Sequence, residues 1–166
     1  MGDHGARQLS PLFRRRMIRW DPRAGVYRIE MDEASRRNLR SLMEQFLAVL
    51  ADPGSPVLHR LFPPAYSAPG DVALQDEYRR LMQEDLVERR RAECQAVMES
   101  AESSQLSEEQ LLAWSRAINS IRLALGTYLD VSEDDPLRAP QNNEEWAYQW
   151  LSLLLEEAIE AMSRQT

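Results

Sequence analysis

Hydrophobic residues recur with helical spacing along four stretches of this chain. Between residues 107 and 131, Leu111, Trp114, Ile118, Ile121, Leu125 and Tyr128 or Leu129 fall three and four apart. That spacing lines one face of an α-helix and predicts a central helix packed on two sides. Ser107 with Gln110 forms a capping box at its start, with Leu106 just ahead as the apolar member of a staple. Asp32 is an N-cap for a helix to about Ala51, striped by Leu39, Leu42, Met43, Phe46, Leu47 and Leu50. Leu74, Tyr78, Leu81, Met82 and Leu86, then Cys94, Val97, Met98 and Ala101, set the period of a long helix from Val72 to Ser100. Asn142 or Asn143 caps a last helix through about Ser163. Its stripe of Ala147, Leu151, Leu154, Ala158 and Met162 is widened by Trp150, Leu155 and Ile159, a face broad enough for contacts on two sides.

The breaks are as clear as the periods. Asp52-Pro53-Gly54-Ser55-Pro56 ends the first helix, and Val57 to Phe62 has room only for a short turn or helix before Pro63-Pro64. Residues 61–71 read as a loop anchored by Phe62 and Tyr66. Near the N-terminus the period changes to two. The runs Phe13 to Trp20 and Val26 to Met31 flank Asp21-Pro22-Arg23-Ala24-Gly25, which predicts a β-hairpin with Tyr27, Ile29 and Met31 toward the helices and Val26, Arg28 and Glu30 toward water. Residues 1–12 have little hydrophobic content and read as a flexible tail. The fold class is mainly α: one domain over residues 13–163, a bundle of about five helices with a small N-terminal β-hairpin packed on its side.

Charge adds an asymmetry to this picture. Residues 1–40 hold ten Arg against five acidic residues, a balance of +5, which leaves −12 of the formal −7 total on residues 41–166. All 20 cations are Arg, a bias that fits a GC-rich genome, although Arg is also the better bidentate partner for phosphate and carboxylate. The single cysteine, Cys94, excludes an intramolecular disulfide and points to the reducing cytoplasm. No apolar run approaches the ~20 residues that span a bilayer, so no membrane association is expected.

Reactive chemistry is sparse. His4 lies in the tail and His59 in a loop, neither with a second zinc ligand nearby. Glu133, Asp134 and Asp135 match no calcium loop and read as a solvated turn. Phosphate-loop and nucleophile-elbow motifs are absent, so the expectation is a non-enzymatic protein without metal or cofactor. Cys94 has Arg90 and Arg91 within one turn; it is either a redox-responsive thiol or a small core residue.

A polar line beside the central stripe, Ser115, Asn119, Arg122 and Gly126, joins an amide and a guanidinium to a glycine where another backbone can approach. Arg122 is expected to be buried and paired with a carboxylate, Asp85 first and one from the last helix second. The plainer reading of Asp85 is a solvated face with local pairs among Glu84, Glu88, Arg89 and Arg91.

The compact basic patch is Arg14, Arg15, Arg16, Arg19, Arg23 and Arg28, with Trp20 and Tyr27 beside it. It has three readings: phosphate-backbone binding, protection of a sheet edge from aggregation, or docking to an acidic protein surface, including the acidic part of a second copy in a homodimer.

Several segments together resemble an actinobacterial family known as DUF2017: Leu61-Phe62-Pro63 with Ala65-Tyr66, Glu77-Tyr78-Arg79-Arg80-Leu81 with Asp85-Leu86, Arg122 to Thr127, and Tyr148-Gln149-Trp150-Leu151. The resemblance covers roughly residues 13 to 162. Members occur beside genes for a ClpS-like protease adaptor and for cysteine-biosynthesis proteins, and some are described as transcriptional regulators responding to oxidative stress. The resemblance therefore implies a regulator acting through a sigma factor or promoter DNA. The basic hairpin, with Arg14, Arg15, Arg16 and Arg19, is the expected contact surface, and the alternative is an adaptor linked to proteolysis that uses the hairpin or residues 61–71. The resemblance also implies a dithiol switch near the N-terminus. This chain departs there, because GDHGARQLSP has no cysteine. The residues Asn119, Arg122 and Gly126 then read as fold-specifying.

Overall fold

A computed structural model of the protein describes residues 15–57, 72–132, 134–135 and 138–166. Its elements run β1 (Ile18–Asp21), β2 (Val26–Ile29), α1 (Glu33–Leu50), α2 (Val72–Ser100), β3 (Gln105–Leu106), α3 (Glu108–Tyr128) and α4 (Asn143–Ser163). The fold is mainly α, with four helices among the described residues where about five were expected. Of the short helix expected over 57–62, only Val57 falls within them.

The helices start where their caps dictate. Asp32 accepts the Ser35 N–H at 2.7 Å, and Asn142 accepts the Glu145 N–H at 2.8 Å. Ser107 and Gln110 exchange both bonds of the capping box. Each cap satisfies an N–H that the first helical turn leaves without a partner. At its other end α3 stops at Tyr128, one residue short of the expected Leu129, and Asp130 turns the chain away in a left-handed conformation (φ 55°).

The hairpin pairs Ile18 with Ile29 and Asp21 with Val26 in an antiparallel register. Gly25 closes it at φ +67°, donating its N–H to the Asp21 carbonyl at 2.8 Å. A third strand, β3, adds to β2 antiparallel, with Tyr27 opposite Leu106. The sequence pattern did not announce it, since two residues carry no periodicity; Leu106 was assigned as a staple and also serves as a strand residue. Tyr27 and Ile29 point inward as expected and are buried.

Trp114 of α3 sits fully buried at the centre, its indole N–H donating to Ser100 Oγ at 2.8 Å. Around it α3 packs chiefly on α4 and α2, and it also touches α1 and the sheet. The core is contributed by Ile18 and Leu106 from the sheet, Leu39 and Met43 from α1, Cys94 and Val97 from α2, and Leu151 and Leu154 from α4.

Two expectations fail in detail. The first half of α2 carries its apolar stripe in the open, with Leu74, Tyr78, Leu81 and Met82 all exposed; α2 begins to pack on the core at Val87, and the first of its described residues to be fully buried is Cys94. On α4, Trp150 and Leu155 are half-buried but Ile159 is exposed, so the face is narrower than its composition indicates. Helical spacing reports which residues share a face, not whether a partner lies against it.

Arg36 ties these layers together. Its guanidinium donates to the carbonyls of Met31, Ile29, Ala101 and Ser103, at 2.6 Å to Ala101. It thereby joins the start of α1 to β2 and to the carbonyls just past the end of α2, where a cation is also favoured by the helix dipole.

Candidate functional site

Among the hairpin residues expected to contact a partner or nucleic acid, Arg15, Arg16, Arg19 and Arg28 have their charge answered by carboxylates of the hairpin itself or of α4. Arg15 Nε lies 2.7 Å from one oxygen of Glu30, and Arg19 Nη2 lies 3.2 Å from the other. Arg28 Nε meets Asp21 at 3.0 Å and also donates to the Gln105 side chain. Arg16 reaches across to Glu160 of α4 at 2.6 Å. Arg23 is exposed, and Arg14 lies outside the described residues.

The carboxylates register these contacts. The Arg15 guanidinium, followed by Arg19, holds Glu30 below the usual carboxylate range. Arg28 and the backbone N–H groups of Ala24 and Arg23 do the same for Asp21, and Arg16 does so for Glu160.

Of the two aromatic residues beside the basic patch, Trp20 is half-exposed and lies against Tyr27, with ring centroids 4.9 Å apart and planes tilted by 52°. Tyr27 is not available. It is fully buried, its hydroxyl donates to the Gln165 side chain at 2.5 Å, and burial pushes its phenol pKa up.

A residue absent from the sequence reading anchors this surface to the bundle. Glu157 of α4 is 6% exposed, and its Oε2 accepts the backbone N–H groups of Met17 at 2.8 Å and Ile18 at 3.2 Å. The signal was present. Glu157 stands between Leu154 and Ala158 on the buried stripe, where a carboxylate has to find donors to be tolerated.

The polar line of α3 assembles differently from expectation. Asp85 does not meet Arg122: it pairs with Arg89 one turn away at 2.7 Å, on an exposed part of α2. This is the solvated-face reading, and it follows from the failure of the first half of α2 to pack on the bundle. Arg122 is half-buried rather than sealed, and among the described residues no carboxylate pairs with it. Its Nη2 donates weakly to Asn119 Oδ1 at 3.4 Å, its Nε is buried without a partner, and its guanidinium lies 6.0 Å from the Tyr148 ring centroid.

Gly126 is the close-approach position, but the neighbour is a side chain. A Cβ there would stand 3.1 Å from Tyr148 Cε2. Ser115 is buried and returns its hydroxyl to the Leu111 carbonyl. Arg122 and Gly126 therefore share Tyr148 of α4 as a neighbour.

The thiol reading of Cys94 is corrected as well. The residue is fully buried, and its pKa is pushed up to about 12 by desolvation first and by Glu93 second. Arg90, which would favour the thiolate, is engaged with Glu93 at 3.0 Å. Cys94 is the small core residue of the two alternatives.

Among the described residues no three His, Cys, Asp or Glu side chains converge in a way that could hold a metal ion, and no helix is long and apolar enough to cross a membrane. His4, His59, Glu133 and the 61–71 loop lie outside the described residues.

The sequence model of the family described as "Domain of unknown function (DUF2017)" matches residues 17–162. The chain belongs to the DUF2017 family. That span starts beside the two amides held by Glu157 and ends near the last turn of α4, so the hairpin is part of the family domain. The chain is 29% identical over 123 residues to proteins named "Oxidative stress regulator AosR" from Mycobacterium tuberculosis and Mycobacterium bovis, covering 63% of this chain and 56% of those relatives. It is 29% identical over 130 residues to a "Putative oxidative stress regulator AosR" from Mycobacterium leprae, covering 66% of this chain and 59% of that protein. This DUF2017 chain thus spans less than three-fifths of the length of these curated relatives. No solved structure matches it.

Proposed function

We propose that this DUF2017 protein is a non-enzymatic cytoplasmic regulator, associated with transcription, that contacts a protein partner through its N-terminal hairpin. The names of the mycobacterial relatives support a regulator. One observation favours a protein partner over direct DNA binding. Arg15, Arg16, Arg19 and Arg28 already face carboxylates of their own chain. Phosphate-backbone binding draws its affinity from unneutralised cations that displace counterions, and each internal ion pair subtracts from it. A protein surface can exchange such rim pairs at little cost while Trp20 supplies apolar area. Residues 1–166 hold one cysteine, so the proposed regulation invokes no disulfide switch within them.

The test is capture of the tagged full-length chain and its partners from the native host, beside an Arg15→Ser, Arg16→Ser, Arg19→Ser variant, with mass spectrometry of both. Sigma-factor or polymerase subunits retained by the parent and lost from the variant bear out the reading. Clp components in their place make the protein an adaptor for proteolysis. Equal capture by both proteins refutes the assignment to the hairpin. A promoter-DNA shift that weakens by orders of magnitude between about 50 and 200 mM salt would return DNA as the partner.

A further inference from the structure

We propose that the groove between α1, the end of α3 and the first turn of α4 is a docking site for an arginine-bearing segment of a partner protein. It is a second surface, independent of the hairpin. The groove encloses a cavity of about 620 Å³. Asn38, Ser41 and Gln45, at spacings of three and four, form one wall from α1, and Asn143, Glu144 and Trp146 form the other from α4. Leu42 and Leu125 lie between them.

The lining has a definite chemical bias. Among the described residues no arginine lines this cavity, and the one carboxylate in its lining is that of Glu144. Gln45 donates its amide to Ser41 Oγ at 3.1 Å, which leaves its carbonyl oxygen as an acceptor. Glu145, beside Glu144, is committed to Arg138 and to the Gln141 N–H, whereas Glu144 makes no ion pair among the described residues. At the start of α4 the Asn142 side chain takes the Glu145 N–H.

Trp146 is 41% exposed and held in place by stacking on Trp150, with centroids 5.4 Å apart and planes within 14°. A braced indole face, a carboxylate beside it and a row of side-chain oxygens complement a guanidinium, which stacks on an aromatic ring while its edge donates to oxygens. Phosphate or carboxylate ligands find no cation in the lining among the described residues.

The groove also explains why the ligand is a segment and not a free small molecule. It continues past Leu42, Gln45 and Leu125 into an apolar cavity of about 150 Å³ walled by Phe46, Val49 and Tyr128. Tyr128 is two-thirds exposed there. An arginine seated at Trp146 would bring an aliphatic neighbour one helical turn away onto this ledge, the arrangement by which amphipathic segments enter grooves.

The test uses the full-length chain and an acetylated, amidated Leu-Ala-Ala-Arg peptide, followed by tryptophan fluorescence and by the indole N–H resonances of the 15N-labelled protein. Saturable binding is expected below about 10 mM, with the Trp146 indole the most shifted. Lysine or citrulline in place of arginine should weaken it by about threefold to tenfold, Glu144→Gln by a similar factor, and Trp146→Leu should abolish it. The thermal transition of each variant confirms that it is folded.

Equal affinity for the citrulline peptide, shifts unaffected by Trp146→Leu, or no saturation at that concentration would overturn the proposal. The Arg15, Arg16, Arg19 triple variant should bind the peptide normally. Loss of a cellular partner through the hairpin and loss of peptide through the groove are therefore separate outcomes.

Discussion

Glu157 offers the sharpest test of how the hairpin is held. β1 lies at the edge of the sheet, and Ile18 within it is fully buried, so an unpaired Ile18 N–H has no access to water. The Glu157 carboxylate satisfies that donor and the Met17 N–H together. In Glu157→Leu the volume is retained but both donors lose their acceptor. Stranding one fully buried and one partly buried N–H costs roughly 1–3 kcal/mol and about half that, for a total of about 3 kcal/mol. In Glu157→Gln a carbonyl oxygen remains, and the loss should be about 1 kcal/mol.

For a chain of this size each kcal/mol moves the melting temperature by about 2–4 °C, so Glu157→Leu should melt roughly 6–12 °C lower. Amide exchange localises the effect. Met17 and Ile18 should lose protection by an order of magnitude or more, while the Trp114 region of α3 keeps its relative protection. A Glu157→Leu protein within about 0.5 kcal/mol of the parent would show that the carboxylate is incidental. Unchanged exchange at Met17 and Ile18 would show the same.

Four further outcomes follow from the same geometry. Arg36→Met should destabilise by about 2–4 kcal/mol in urea unfolding, and Arg36→Lys should recover only part of it, because an ammonium cannot span carbonyls contributed by β2 and by the end of α2. Gly126→Ala gains about 1 kcal/mol of helix propensity but crowds Tyr148. It should be neutral or destabilising in the parent and stabilising in a Tyr148→Ala background, and a cycle without that sign change would remove Tyr148 as the reason for the glycine. Cys94 should resist alkylation at pH 8 in the native protein and react fully in denaturant, since its pKa is pushed up to about 12 and it has no exposed surface; native labelling at the rate of a free thiol would contradict this. Finally, Asp21, Glu30 and Glu160 have folded-state pKa values below their ordinary ones, so their contribution is present above about pH 4.5 and is lost as the pH falls through the lowered values. Trp20 fluorescence should then report loosening of the hairpin below about pH 4, before the α3 core opens; a hairpin signal flat to pH 2 would count against these ion pairs.

Most of the fold was legible in the chain because the relevant physics is local. The caps Asp32, Ser107 and Asn142 act on N–H groups two or three residues away, and their helices begin there. Breakers at Asp52 to Pro56 and the stripe through Trp114 are equally short-range, as is the alternation that turns Tyr27 and Ile29 inward. What depended on contacts between distant segments was not legible. β3 exists only because Leu106 comes to lie beside Tyr27. The exposure of Leu74, Tyr78, Leu81 and Met82 reflects where α2 runs relative to the bundle, and with α2 placed so, Asp85 meets Arg89 rather than Arg122.

The candidate surface divides in the same way. A run of arginines was visible at once, but its electrostatic meaning depended on Glu30 lying across the hairpin and Glu160 lying on the last helix. Sequence by itself determined which residues share a helix or a strand face, because helix and strand periods are properties of a few consecutive residues. Only the tertiary structure decided which charges are answered, which donors Glu157 must satisfy and which apolar faces stay open, because those quantities depend on side chains up to 140 positions apart in the chain.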